Sequence, residues 1–209
     1  MIRNPCFDCT RECPLRCKDY DDFISAVQDM IGRQKPDQFD VGKMVAAALF
    51  SSECENWGTP RPLYDLLSKM FGPFDLDPCT SSDNPLGTPT FYTKETDGLK
   101  QIWGLGTYDK PTRVFANPPY GSLVGTWIYK AWLASLYGRA VVVCLLPART
   151  DTRWFHTYCM VADAIYFIKG RLTFEGADNT APFPSMVVVF KAKPGAGPPH
   201  IFSLEAPKK

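Results

Sequence analysis

Thr112-Arg113-Val114-Phe115-Ala116-Asn117-Pro118-Pro119-Tyr120-Gly121-Ser122 is the stretch on which the fold turns. Its first five residues are β-branched and aromatic, as in a buried strand, and Gly121 and Ser122 restart the chain into a helix from near Leu123. Asn117 to Tyr120 therefore occupy a strand-to-helix loop. In an open α/β sheet such loops lie at the carboxyl ends of the strands, where ligands bind. The two prolines fix φ and remove two N–H donors, leaving neighbouring carbonyls free to accept from a ligand. The Asn117 amide oxygen and the Pro118 carbonyl thus form a pair of acceptors suited to one exocyclic amino group, with the Tyr120 ring beside it. The bland alternative is a proline-rich turn with no chemistry.

Downstream, Val124, Trp127, Ile128, Ala131, Trp132 and Leu136 recur at helical spacing up to Gly138. Ala140 to Leu146 is continuously apolar, as a strand buried on both faces would be. Pro147-Ala148-Arg149-Thr150-Asp151-Thr152 opens another helix, and Ala164–Ile168, Leu172–Phe174 and Met186–Phe190 read as further strands. Pro182-Phe183-Pro184 lies in a loop between the last two, and the Pro/Gly-rich chain beyond Lys191 is expected to be mobile.

Upstream, Thr59 is placed as an N-cap and Pro60 as the first residue of a helix carrying Leu63, Leu66, Leu67 and Met70, with Gly72 as its stop. Phe74 to Cys79 reads as a short strand with Asp75 and Asp77 on one face. The Thr80–Pro89 loop lacks a phosphate-cradling glycine pattern, and Asp97-Gly98-Leu99 is a second acidic loop ahead of Trp103. Helices and strands alternate, then strands follow one another. The expected fold is α/β, a mostly parallel sheet ending in an antiparallel hairpin. Asp77, Asp97 and Asn117 all fall at strand ends, and their convergence points to one cleft.

Composition bounds the function. Lys and Arg total 23 against 22 Asp and Glu, so any nucleic-acid surface must be a local patch. No apolar run is long enough to span a membrane, and a soluble, cytoplasmic protein without an obligate protein partner is expected. With 2 histidines, His-based triads and His-rich metal sites are disfavoured. Cys6, Cys9, Cys13 and Cys17 can supply four thiolates to one structural zinc. An iron–sulfur cluster and a thiol-rich tail remain open. The expected division is a cysteine-rich appendage over 1–40, a main domain over 41–193 and a Pro/Gly-rich tail over 194–209.

The succession Ala48-Leu49-Phe50-Ser51-Ser52, Trp57-Gly58-Thr59-Pro60, Phe74-Asp75-Leu76-Asp77-Pro78-Cys79, Asp97-Gly98-Leu99, Asn117-Pro118-Pro119-Tyr120, Leu146-Pro147-Ala148-Arg149-Thr150-Asp151-Thr152 and Gly170-Arg171-Leu172 with Pro182-Phe183-Pro184-Ser185 resembles the phage-type DNA N6-adenine methyltransferase family. The resemblance runs from about Ala48 to Lys193 and leaves out the cysteine cluster. It implies a Rossmann-like class I fold, S-adenosyl-L-methionine as cofactor, and methyl transfer to N6 of a flipped-out adenine in double-stranded DNA, in the cytoplasm of a bacterial host. By it, Asn117, Pro118, Pro119 and Tyr120 are catalytic, and Thr59, Pro60, Asp77, Pro78, Cys79 and Asp97 hold the cofactor. Tyr120 and Phe183 would meet the base; Arg149, Arg153, Lys169 and Arg171 would meet phosphates. Pro78-Cys79-Thr80-Ser81 stands where a glycine-rich loop is usual, and no acidic residue other than Asp83 offers itself to the ribose. The rival readings are an inactive DNA-binding relative, or a methyltransferase acting on RNA or a protein glutamine.

Overall fold

The computed structural model describes residues 57–192 and 197–207. Cys6, Cys9, Cys13 and Cys17 lie outside them. Seven strands form one sheet in the order β2-β1-β3-β4-β6-β5-β7: β1 (Leu76–Asp77), β2 (Thr90–Phe91), β3 (Thr112–Ala116), β4 (Ala140–Pro147), β5 (Ala164–Lys169), β6 (Ser185–Phe190) and β7 (His200–Glu205). β6 runs antiparallel to both β4 and β5, and every other pairing is parallel. The mostly parallel Rossmann-like sheet with an antiparallel β5–β6 pair is as expected, but the sheet does not end in that hairpin, because β7 adds parallel to β5 at the edge. The chain leaves β1 towards β2 on one side, then crosses back to place β3 on the other. That reversal opens a crevice between the carboxyl ends of β1 and β3.

The three α-helices among the described residues are α1 (Arg61–Phe71), α2 (Val124–Leu136) and α3 (Arg153–Tyr158), the last followed by a 3-10 turn at Cys159–Val161. α1 buries Leu63, Tyr64 and Leu67, and Tyr64 packs on Phe74 and Phe115 at ring separations of 5.5 and 5.3 Å. Its last turn is closed from the sheet: Arg113 Nε donates to the Phe71 carbonyl (3.0 Å), one of the acceptors that a helix end leaves unpaired. Ala116 of β3 stands beside Cys144 of β4, and β4 is buried without a break from Val142 to Pro147. α2 packs on β4, with Trp127 stacked on Trp103 at 5.8 Å.

Three further expectations are corrected. Leu172–Phe174 is not a strand: Leu172 and Phe174 are fully buried as packing residues, and the only pairing nearby is an isolated bridge, outside the sheet, between Gly58 and Glu175. The chain after Lys191 is not simply a mobile tail, because His200–Glu205 pairs along its whole length with β5. β7 is held by main-chain hydrogen bonds while most of its side chains are exposed, so it carries no apolar period by which to read it. Thirdly, Asp75 and Asp77 do not share one environment. Asp75 is exposed and accepts from the Arg113 N–H (2.8 Å), whereas Asp77 is buried.

Candidate active site

β3 ends at Ala116, and the next residue delivers the centre of the site. Asn117 Nδ2 donates twice, to the Trp57 carbonyl (2.5 Å) and to Thr59 Oγ1 (2.9 Å). These bonds fix which end of the amide faces which way. The other end, Oδ1, is buried and has no partner among the described residues. An unpaired buried acceptor costs about 1–3 kcal/mol, a cost that a donor on a ligand would remove. Thr59 is therefore not the helix cap that its position suggested. Pro60 holds the cap position of α1 without a side-chain bond, and the Thr59 hydroxyl is turned inward to orient Asn117.

Beside Asn117 stands the end of β1. Asp77 is 3% exposed; burial pushes its carboxyl up to about 7, against the Cys79 N–H that donates to it at 3.1 Å. Burial likewise pushes the Cys79 thiol well up, with Asp77 and Cys144 adding to the effect, so it stays protonated. The thiol lies by Asp77 and the Asn117 backbone N–H, where the ends of β1 and β3 meet. The loop that carries Asp97 packs against the end of β1. The Asp97 backbone is left-handed (φ +51°), and its carboxylate accepts from the Leu99 N–H (3.2 Å) and pairs with Lys100 (3.0 Å). Gly98 lies so close to this loop that a Cβ there would sit 1.8 Å from the Pro78 carbonyl oxygen.

Tyr120 is 8% exposed and donates its hydroxyl to the Leu145 carbonyl (3.2 Å). Burial holds its phenol well above the usual range, so the hydroxyl is a fixed donor and the ring is a wall. Phe183, partly exposed, meets Tyr120 edge-on at 5.5 Å and Trp57 edge-on at 5.6 Å, with Phe174 beneath all three. Pro184 accepts from the Ala148 N–H (2.9 Å), which brings the Phe183 loop against the loop that carries Arg149. Arg149, Arg153 and Arg171 are exposed, whereas Lys169 is paired with Glu205 (3.0 Å).

Two groups meet near Asn117: an acidic rim, in which the loop of Asp97 is set against the end of β1 that carries Asp77, and an aromatic rim from Trp57, Tyr120 and Phe183. The family model described as DNA N-6-adenine-methyltransferase (Dam) matches residues 47–204. The chain belongs to that family. Relatives of this Dam-family chain include the DNA N-6-adenine-methyltransferase of Escherichia phage T1, 34% identical over 117 residues that make up 56% of this chain and 46% of the relative. A second, YfdM of Escherichia coli (strain K12), named as a methyltransferase, is 33% identical over 66 residues, 32% of this chain and 71% of its own. The chain thus spans about half the length of the first relative.

Two residues of this Dam-family site escaped the sequence reading. Trp57 supplies the carbonyl that orients Asn117 and a ring that walls the pocket, yet nothing in Trp57-Gly58-Thr59-Pro60 distinguishes it from an ordinary helix entry. Lys130 is buried on α2 near Asp97, and burial lowers its ammonium to about 8, with Asp97 pulling the other way. Its signal was present: a lysine on the apolar face marked by Trp127 and Ala131. Among the described residues no group of His, Cys, Asp or Glu is arranged to hold a metal, and no helix is long and apolar enough to cross a membrane.

Proposed function

We propose that this chain transfers a methyl group from S-adenosyl-L-methionine to the N6 amino nitrogen of an adenine flipped out of double-stranded DNA. The observation that carries the reading is the Asn117 amide, whose nitrogen end is fixed by Trp57 and Thr59 and whose oxygen end is buried and unpaired. An N–H donor is what that oxygen requires, and an exocyclic amino group supplies one. The cofactor, when bound, supplies an electrophilic methyl on a sulfonium. Asp77, Pro78, Cys79 and Asp97, with Thr59 and Pro60, would hold it, since the carboxylates form the acidic rim suited to a ligand with ammonium and hydroxyl groups.

Adenine N6 is a poor nucleophile because its lone pair is delocalised into the ring. Two acceptors, Asn117 Oδ1 and the Pro118 carbonyl, favour a more tetrahedral nitrogen and aim its lone pair at the methyl, so this chain works by positioning and preorganised electrostatics. Tyr120 and Phe183 receive the base; flipping it costs a few kcal/mol, and stacking on an aromatic ring returns about 1–3 kcal/mol. Arg149 and Arg171, both exposed, would meet phosphates. The reaction proposed requires a cytoplasmic setting, where cofactor and DNA meet.

Incubation with cofactor labelled in the methyl group and with duplex DNA, RNA or protein is the test. Label appearing as N6-methyladenine in DNA is expected. Label confined to RNA or to a protein glutamine, or no transfer to any of the three, would reject the proposal. We also propose that Cys6, Cys9, Cys13 and Cys17 hold one zinc in an appendage separable from the catalytic domain.

A further inference from the structure

We propose that Trp57 reads the target base: its indole Nε1–H donates to the ring nitrogen that flanks the amino group held by Asn117. The inference rests on the function proposed above and names a specificity residue for it. Among the described residues, the buried side-chain polar atoms without a partner are Trp57 Nε1, Thr88 Oγ1, Asn117 Oδ1 and Ser185 Oγ. Two of these belong to residues in direct contact, since Asn117 Nδ2 donates to the Trp57 carbonyl at 2.5 Å. One is a donor and the other an acceptor, and they do not bond each other. Natural structures pair nearly all buried polar groups, so a complementary orphan pair on two touching residues asks for a ligand with the opposite pattern.

The indole is held rigidly enough to read. Its ring lies tilted on Phe174 at 5.1 Å and edge-on to Phe183 at 5.6 Å, and both of those rings also touch Tyr120. An adenine presents a donor beside an acceptor: the C6 amino group, flanked by N1 on one side and N7 on the other. Guanine and thymine present a carbonyl beside a ring N–H. Against this pair their carbonyl would meet the Asn117 oxygen, and where N1 is the atom read their ring N–H would also meet the indole N–H; where N7 is read, guanine is refused at the Asn117 contact alone, and cytosine, which carries an amino group beside an acceptor, must be excluded by size. A site whose buried groups are left unpaired by the wrong ligand discriminates strongly.

The target sequence is first located by sequencing DNA methylated by the wild-type protein. Single-turnover methylation is then measured on duplexes with adenine, 1-deazaadenine or 7-deazaadenine at the target, for wild type and for Trp57→Phe, which keeps a ring and removes the donor. The wild type is expected to lose about 10- to 100-fold on one analogue. The identity of that analogue tells which ring nitrogen is read. Trp57→Phe should be slowed to a similar degree on adenine and show no further loss on the analogue. Wild-type rates within about twofold on both analogues overturn the inference even if the variant does not fold. So does a Trp57→Phe protein that keeps the analogue penalty, or one whose only defect is weaker cofactor binding by calorimetry, which would place the donor on the cofactor. A wild type that methylates no adenine in DNA overturns the proposed function itself, and this inference with it.

Discussion

Asn117 uses its two ends differently, and that asymmetry makes its replacement informative. Asn117→Ala removes the free acceptor and also the two bonds to Trp57 and Thr59. The expected loss in kcat is roughly 10²–10³-fold, the scale for one preorganised hydrogen-bonding group. Cofactor affinity by calorimetry should change little, because the acidic rim is untouched; near-normal turnover would mean that the active site lies elsewhere. Asp77 offers a pH test. Its carboxyl is raised from 3.8 to about 7, so between those values the native protein holds a proton that the unfolded chain has lost. That stabilisation is present in full below the unfolded value and disappears as pH rises through about 7. Its upper bound, a difference of roughly three pKa units, is about 4 kcal/mol. Denaturant unfolding of the cofactor-free protein should accordingly show greater stability at pH 5.5 than at pH 8, and Asp77→Asn should shrink the difference. Because an ammonium or hydroxyl ligand prefers the ionised carboxylate, cofactor binding near pH 6 should release protons. Titration calorimetry in two buffers of different ionisation enthalpy measures this, and an unchanged apparent enthalpy would remove Asp77 from the cofactor site.

At the scale of elements, the crevice exists because two short loops are clamped together rather than because either is long. Gly98 is the clamp: an alanine Cβ would lie 1.8 Å from the Pro78 carbonyl oxygen, a separation that backbone must move to relieve. Gly98→Ala should therefore part the Asp97 loop from the end of β1, lowering stability by about 1–3 kcal/mol and cofactor affinity by more than about tenfold. Gly125 in α2 is the contrast. A Cβ there would rest 3.4 Å from the Trp154 side chain, an ordinary contact, so Gly125→Ala should raise stability by about 0.5–1 kcal/mol through helix propensity. Thermal unfolding of the pair reads both signs. The same level explains what could be read without coordinates. β3, β4, α2 and the Asn117 loop were legible because burial on both faces and a 3.6-residue period write themselves into composition. β7 was not, since it adds to the sheet through backbone groups that every residue carries. Trp57 was not, because its contribution to Asn117 is a carbonyl, and Leu172–Phe174 misled because apolar β-formers are equally suited to plugging an aromatic cluster.

For the whole molecule, the family match begins at residue 47 and thus omits the four clustered cysteines. Methyl transfer as proposed needs nothing from them: its acceptor, acidic rim and aromatic rim all come from Trp57 onwards. Four thiolates within a dozen residues can close a tetrahedral shell, and a segment of about forty residues is too short to bury a sufficient core without such a staple. Metal analysis of the full chain purified under reducing conditions should find about one equivalent of zinc, by the ligand count. Replacement of Cys9 and Cys13 by serine should remove it, since two thiolates cannot hold the shell against solvent. A chain beginning at Val41 should keep most of its methylation of DNA, measured as kcat at saturating cofactor. Should it bind DNA more weakly, Arg3, Arg11, Arg16 and Lys18 are the basic groups it has lost, and the defect should diminish at higher salt, where phosphate contacts contribute less to either form. Protein carrying neither zinc nor iron would reduce the cluster to a thiol-rich tail. Inactivity of the Val41 chain despite intact cofactor binding would instead make the cysteine segment part of the machinery that engages DNA.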